Sequence, residues 1–379
     1  MTDGAGAGRV QVGLEVIQTE LPDVLKGARV GLLAHAASRL PDGEHALTVL
    51  RRCGVTVVRL FGPEHGFFGA AGAGEGVSDA AHDGLPLVSL YGARRAPGPE
   101  HLKDLDALVV DLQDVGVRAY TYLATVKACL LSCAEADVKL VLLDRPNPLG
   151  RAAYGAGVAD GFGSFVSAHD VRFVHGMTLG ELATLMARDL GLEAALRVVP
   201  MKDYDGSPWP RTGLPWRAPS PNLPRPVSAR LYPLTVFLEG TNISEGRGTD
   251  APFEQLGAPW LGGEALADTL TERLPGLRAE PVRFTPASSK HAGTSVSGVR
   301  LSPTGPFDPL ESARVLLAEV RRQDPAWFGW LGEGASFIDL LAGSDILRRA
   351  VDGDVAEADF AAWLAQGARL EAGRMRLYT

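Results

Sequence analysis

The chain has 379 residues, 46% hydrophobic and 22% charged, which is long enough for two domains with cores of their own. A net charge of −8 excludes the basic surface that nucleic acid or an anionic membrane would require, so any anionic ligand must be met by a few placed arginines. No apolar run approaches the roughly 18–20 residues of a membrane span, and no basic, apolar leader opens the chain, so a cytoplasmic protein without membrane insertion is expected.

In chain order, short apolar runs at 30–33, 55–61, 107–111 and 138–143 alternate with helical patterns at 45–53, 100–105 and 122–136. Runs without clean alternation, separated by helices, predict a parallel sheet covered on both faces. The fold class expected is therefore α/β, with a Rossmann-like doubly wound parallel sheet over residues 1–206. Cys53, Cys129 and Cys133 are an odd number in apolar helical settings, and they read as reduced, packed thiols.

Each apolar run is followed by a polar cluster: Ala34-His35-Ala36-Ala37-Ser38, then Gly62 to Gly66, then Asp111 to Arg118, then Asp144-Arg145-Pro146-Asn147-Pro148. In a parallel sheet these four strand ends share one edge, outside which ligands bind. In the second cluster, Phe61-Gly62-Pro63-Glu64-His65-Gly66, glycine and proline force a tight turn that carries Glu64 and His65. An α/β enzyme places an acid or a base in such a position. The Gly-rich run over 69–76 lacks the G-x-G-x-x-G spacing and a following helix, so it reads as a flexible flap near the rim, not a dinucleotide site.

Thr178 and Glu181 have capping-box spacing at the head of a helix reaching residue 190, which leaves His175 free to face the cleft. Seven prolines between 207 and 226 mark an extended connector, assigned to 207–230, and the stiff Ser220-Pro221-Asn222-Leu223-Pro224 presents Asn222 at a fixed angle. A smaller α+β domain that closes the cleft is expected over 231–379, with a strand pair near 282–284 and 295–301 and helices near 310–322, 337–351 and 357–368. Its opening stretch gathers Glu239, Asn242, Glu245 and Arg247 among three glycines, a density of hydrogen-bonding groups that favours a site.

No His/Asp/Glu set has metal-ligand spacing, and no G-x-S-x-G elbow occurs. The cysteines lack a polar setting that would activate a thiolate. The expected inventory thus contains no metal and no cofactor. What remains is carboxylates (Glu64, Asp114, Glu239, Glu245), arginines (Arg118, Arg247) and amide side chains, the inventory of a glycosidase.

The motifs FGPEHG (61–66), SLYG (89–92), DLQDVGVRAYTY (111–122), LDRPNP (143–148), HGMTLGELA (175–183), SPNLP (220–224), EGTNISEGRGT (239–249) and KHAG (290–293) occur in order. In them the chain resembles the NamZ-type exo-β-N-acetylmuramidases, glycoside hydrolase family 171, over nearly its whole length. The resemblance implies release of N-acetylmuramic acid from the non-reducing end of peptidoglycan fragments, a peptidoglycan-derived sugar as the binding partner, and a cleft between the two domains. It implies Glu64 as the catalytic glutamate, acting as proton donor. Asp114, Glu239 and Glu245 are each candidates for the second catalytic group, as is the acetamido group of the substrate.

Arg118 and Arg247 are the candidate cations for the lactyl carboxylate of muramic acid. Tyr120 and Tyr122 are candidates to stack on the sugar; if the helix has begun there, one of the two faces the core. His65, Asn147, His175, Asn222, Glu239 and Asn242 complete the expected binding set. Ala34-His35-Ala36-Ala37 departs from the Thr-Asn-Gln-Thr-like cluster that ends the first strand in relatives, so no residue role carries over there and sugar preference is open to change. Two other readings follow from the same residues: a muropeptide-binding protein without catalysis, and a hydrolase of another acidic amino sugar.

Overall fold

The structure, a computed structural model, describes residues 8–69, 79–332, 336–367 and 376–378. From residue 70 on, the Gly-rich run read above as a flap lies outside the described residues. Seven strands form the larger sheet: β1 (Arg29–Ala34), β2 (Thr56–Gly62), β3 (Ala80–His82), β4 (Leu85–Ser89), β5 (Ala107–Asp111), β6 (Lys139–Leu143) and β7 (Leu196–Val199), in the order β3-β4-β2-β1-β5-β6-β7. All neighbours pair in parallel except β3, which runs antiparallel to β4 at the edge. The chain starts in the middle of the sheet, winds outward through β2 and β4, then returns to the other side of β1 with β5. That is the doubly wound order expected from the alternation of apolar runs and helices.

The four central runs are largely apolar because both faces of the sheet are covered. Ala107, Leu108, Val109 and Val110 of β5 are all fully buried. One face packs Val30, Leu32 and Val109 against the helix Ala46–Arg52 and the N-terminal segment. The other packs Val110 and Tyr122 into a core that continues through Phe173 and Phe237, stacked 4.7 Å apart, to Leu256 and Val299 of the smaller sheet. That sheet consists of β8 (Gln255–Ala258), β9 (Leu277–Phe284) and β10 (Val296–Pro303), antiparallel in the order β8-β10-β9. Because one core runs through both sheets, the groups along their junction are held on a rigid frame.

Some local expectations change. Residues 337–351 form two helices, Phe337–Ala342 and Ile346–Asp352, since Gly343 takes a left-handed φ of 71° and ends the first. The proline-rich connector ends earlier than expected: Pro226 opens the helix Pro226–Thr235, where its missing N–H costs nothing. Strands β3, β4, β7 and β8 are too short or too exposed to stand out in the sequence. Thr178 and Glu181 do form the capping box of the helix Leu179–Leu190, and the Thr178 hydroxyl accepts the Glu181 N–H at 3.1 Å.

Candidate active site

Strand β2 ends at Gly62, and Pro63 to Gly66 form a turn closed by the Gly66 N–H on the Pro63 carbonyl at 2.9 Å. A Cβ at Gly62 would meet the Phe67 nitrogen at 2.8 Å, so glycine alone permits the chain to fold back this tightly. His65 is held at φ 69°, a conformation that L-residues adopt at a cost and that recurs at functional sites. The turn rests on Phe61, whose full burial contributes roughly 1.5–3 kcal/mol.

Glu64 and His65 both line a cleft of about 440 Å³ between the two sheets, a size suited to a sugar with part of its aglycone. Glu64 is 9% exposed, and its Oε2 accepts the Thr121 hydroxyl at 2.7 Å. Thr121 stands at the N-cap of the helix Tyr122–Glu135, yet its hydroxyl makes no capping bond; it is committed to Glu64 instead. Tyr91 lines the same cleft and feels the charge of Glu64. Burial and the Glu64 charge together push the Tyr91 phenol pKa up, and Arg95 opposes the rise.

The opposite wall comes from the turn Val236–Gly240 and the loop after it. Arg247 lies 2.5 Å from Glu239 and 3.5 Å from Glu245, and its guanidinium sits 5.0 Å from the Phe253 ring centroid. Lys290 lies 2.9 Å from Glu245 and donates to the carbonyls of Leu238 (2.6 Å) and Ile243 (3.0 Å). Burial raises the pKa of Glu239, while Arg247 draws it back down. Tyr120 lines the cleft with its ring, while its hydroxyl donates to the Pro219 carbonyl at 3.0 Å. Asn222 lines it from the stiff connector, its N–H on the Ser220 hydroxyl at 3.1 Å.

Other expected site residues lie elsewhere. Arg118 is 1% exposed and donates to the carbonyls of Ala156 (3.0 Å), Val171 (2.8 Å) and Ala342 (2.6 Å). It ties the end of the helix Phe337–Ala342 to the larger sheet and does not reach the cleft. Burial lowers its pKa to about 9, still above neutral pH, so the charge survives to serve three carbonyls. Asp114 and His175 are paired with each other at 3.3 Å, behind the rim. Asp114 accepts the Gly116 N–H at 2.7 Å, and His175 Nδ1 accepts that of Met177 at 3.2 Å. Asn147 bridges Met177 O and Leu149 N, both at 2.9 Å. Asn242 clamps Trp327 O at 2.6 Å and Gly329 N at 3.0 Å. None of these five lines the cleft.

Three of the four rim clusters, 34–38, 111–118 and 144–148, therefore contribute no residue to the cleft. His35 is 1% exposed at the switch point between β1 and β5, where its Nε2 accepts the Gln113 N–H at 3.0 Å. The ring proton of the neutral imidazole then sits on Nδ1, which faces Pro219 O (3.2 Å) and the Tyr122 hydroxyl (3.0 Å). The crevice in which doubly wound folds hold dinucleotides is filled by these side chains. The departure at His35 is thus an internal strut under the connector. Of the two tyrosines, Tyr122 is the one that faces the core.

Tyr91, Arg95, Thr121, Phe165 and Lys290 line the cleft without having been singled out. Tyr91, Thr121 and Lys290 do sit inside motifs that carry the family resemblance; Arg95 and Phe165 sit in irregular segments with no pattern of their own. Among the described residues, no group of three or more His, Cys, Asp or Glu is placed to hold a metal ion, and no helix is long and apolar enough to cross a membrane.

The N-terminal model of the exo-β-N-acetylmuramidase NamZ family matches residues 30–227, and its C-terminal model matches residues 230–374. The chain is 37% identical over 357 residues to the peptidoglycan β-N-acetylmuramidase NamZ of Bacillus subtilis (strain 168), covering 91% of this chain and 84% of that one. Two crystal structures of DUF1343 family proteins from Bacteroides fragilis NCTC 9343 superpose on it. One has a TM-score of 0.84 at 31% identity, the other 0.75 at 27%, and each match covers 98% of this chain and 99% of the other. With the two family models together spanning most of the chain and the doubly wound sheet and inter-sheet cleft in place, the chain belongs to the NamZ exo-β-N-acetylmuramidase family.

Proposed function

We propose that this protein is an exo-acting glycoside hydrolase that releases N-acetylmuramic acid from the non-reducing end of peptidoglycan fragments, with Glu64 as general acid. Family membership supports the reaction. The observation that carries the role of Glu64 is its place on a rigid turn lining the cleft, opposite the Glu239–Arg247 pair. In this reading Glu64 gives its proton to the glycosidic oxygen as the bond from C1 to that oxygen breaks, and water supplies the new hydroxyl at C1.

Glu239 is the second carboxylate of the proposal. Burial favours its protonated form against the pull of Arg247, and it lines the same cleft as Glu64. Glu245 is held by two cations and positions Arg247 and Lys290. Asp114, paired with His175 away from the cleft, has a structural role.

Incubation with muropeptides, followed by mass spectrometry, tests the activity. Free N-acetylmuramic acid accumulating while internal linkages persist is the expected result. Binding of the fragments without any released sugar would turn the assignment to a non-catalytic binding protein. A hydrolase of another acidic amino sugar loses its main motive, since His35 lies beneath the connector and not on the sugar.

A further inference from the structure

We infer that Arg95 is the residue that selects the acidic sugar, by pairing with its lactyl carboxylate. The inference rests on the muramidase reading above. Among the described residues the cleft presents three cationic side chains of Lys or Arg, namely Arg95, Arg247 and Lys290. Arg247 is shared between Glu239 and Glu245. Lys290 donates to two backbone carbonyls and lies 2.9 Å from the Glu245 carboxylate, whose charge it balances. Arg118, the other candidate expected from the sequence, is buried on three carbonyls.

Arg95 differs from all of these. Its guanidinium lies 4.3 Å from the Tyr91 ring centroid and 4.1 Å from that of Phe165, and no carboxylate among the described residues pairs with it. A guanidinium lying against two rings still has N–H donors to offer a ligand, and its planar fork meets a carboxylate in two parallel bonds. The aromatic contacts fix the orientation of a long side chain before the ligand arrives, which lowers the entropy cost of gripping it.

The location also fits. Glu64, Tyr91 and Arg95 line the same cleft, and Arg95 lies over the Tyr91 ring, so the cation shares the site with the acid. A muramic acid ring carries its lactyl ether at C3, two ring carbons from the scissile bond at C1. With the glycosidic oxygen at Glu64, that short acidic arm extends toward the wall holding Arg95. N-acetylglucosamine, which lacks the arm, has nothing to place there.

Calorimetry with N-acetylmuramic acid and with its lactyl amide, on wild type and Arg95→Gln, tests the assignment. The two ligands differ only in the charge of the arm. Wild type is expected to prefer the acid by about 10–100-fold, the range of a charge-assisted bidentate contact, and Arg95→Gln to bring that ratio close to one with the affinity for the amide unchanged. A preference that survives in Arg95→Gln, or is absent from wild type, overturns the inference, as does failure of wild type to bind either ligand. Turnover of an aryl N-acetylmuramide is measured alongside. Intact discrimination without turnover would sink the hydrolase reading and leave Arg95 as the carboxylate site, whereas turnover without discrimination would do the reverse.

Discussion

The Thr121 hydroxyl donates to Glu64 Oε2 at 2.7 Å, which joins the loop after β2 to the head of the helix that follows β5. Two segments 57 residues apart thus fix the orientation of one carboxylate. Thr121→Val removes that donor at nearly constant volume. It is expected to lower kcat by about tenfold, in line with the loss of one hydrogen bond to a carboxylate, with little change in thermal stability. Thr121→Ser should restore most of the rate, and a Val variant as fast as wild type would show that the contact does not position the acid.

Glu239 and Asp114 are separated by a paired experiment. Glu239→Gln should reduce kcat by about 100-fold or more, because the cleft loses its second carboxylate. Asp114→Asn should leave kcat within a few-fold and act on stability, since its partners are His175 and Gly116. Steady-state rates together with urea unfolding of both variants check this.

Arg118 predicts a purely structural phenotype. Arg118→Met leaves three buried carbonyls without their donor, at a cost of about 3 kcal/mol or more. The midpoint in urea should fall accordingly, while KM in the folded protein stays unchanged. A selective rise in KM would return Arg118 to the site.

The pH dependence of stability has two opposed contributions. His35 has its pKa held well below the usual histidine range, chiefly by burial and then by the charge of Arg145. The unfolded chain therefore binds the extra proton first, and stability is lost as pH falls below about 6.5, the ordinary histidine pKa. His35→Gln should flatten that part of the urea-midpoint profile.

Asp144 works in the other direction. Burial raises its pKa to about 6, against the pull of hydrogen bonds from Thr178, Tyr378, Gly180 and Arg145. The folded state then binds the proton more tightly, so this residue's contribution is present at low pH and is lost as pH rises from about 4 through 6. Tyr378→Phe deletes a 2.6 Å bond to the buried carboxylate. It should cost about 1–3 kcal/mol at pH 8 and distinctly less at pH 5, where Asp144 is largely protonated.

The sequence made the sheet legible because β1, β2, β5 and β6 are apolar without alternation, the mark of strands covered on both faces. It also made Glu64 legible, through the glycine and proline that bracket it. Local pattern could not distinguish a rim residue that faces the cleft from one that ties the rim together. Arg118 and Asn147 look like ligand-binding groups in a motif, yet their distant partners are backbone carbonyls of other segments. Arg95 has the opposite problem: its meaning depends on Phe165, some 70 residues away, coming to lie against it. Such pairings are set by tertiary packing, which leaves no periodic trace in the chain.

The most direct test is the turnover of an aryl N-acetylmuramide by wild type and by Glu64→Gln, with circular dichroism and urea unfolding confirming that both are folded. The amide keeps the size and hydrogen-bonding reach of the side chain but cannot deliver the proton, so a loss of about 10²–10⁴-fold in kcat is predicted. Equal turnover by the two proteins would contradict the role of Glu64 and the mechanism built on it.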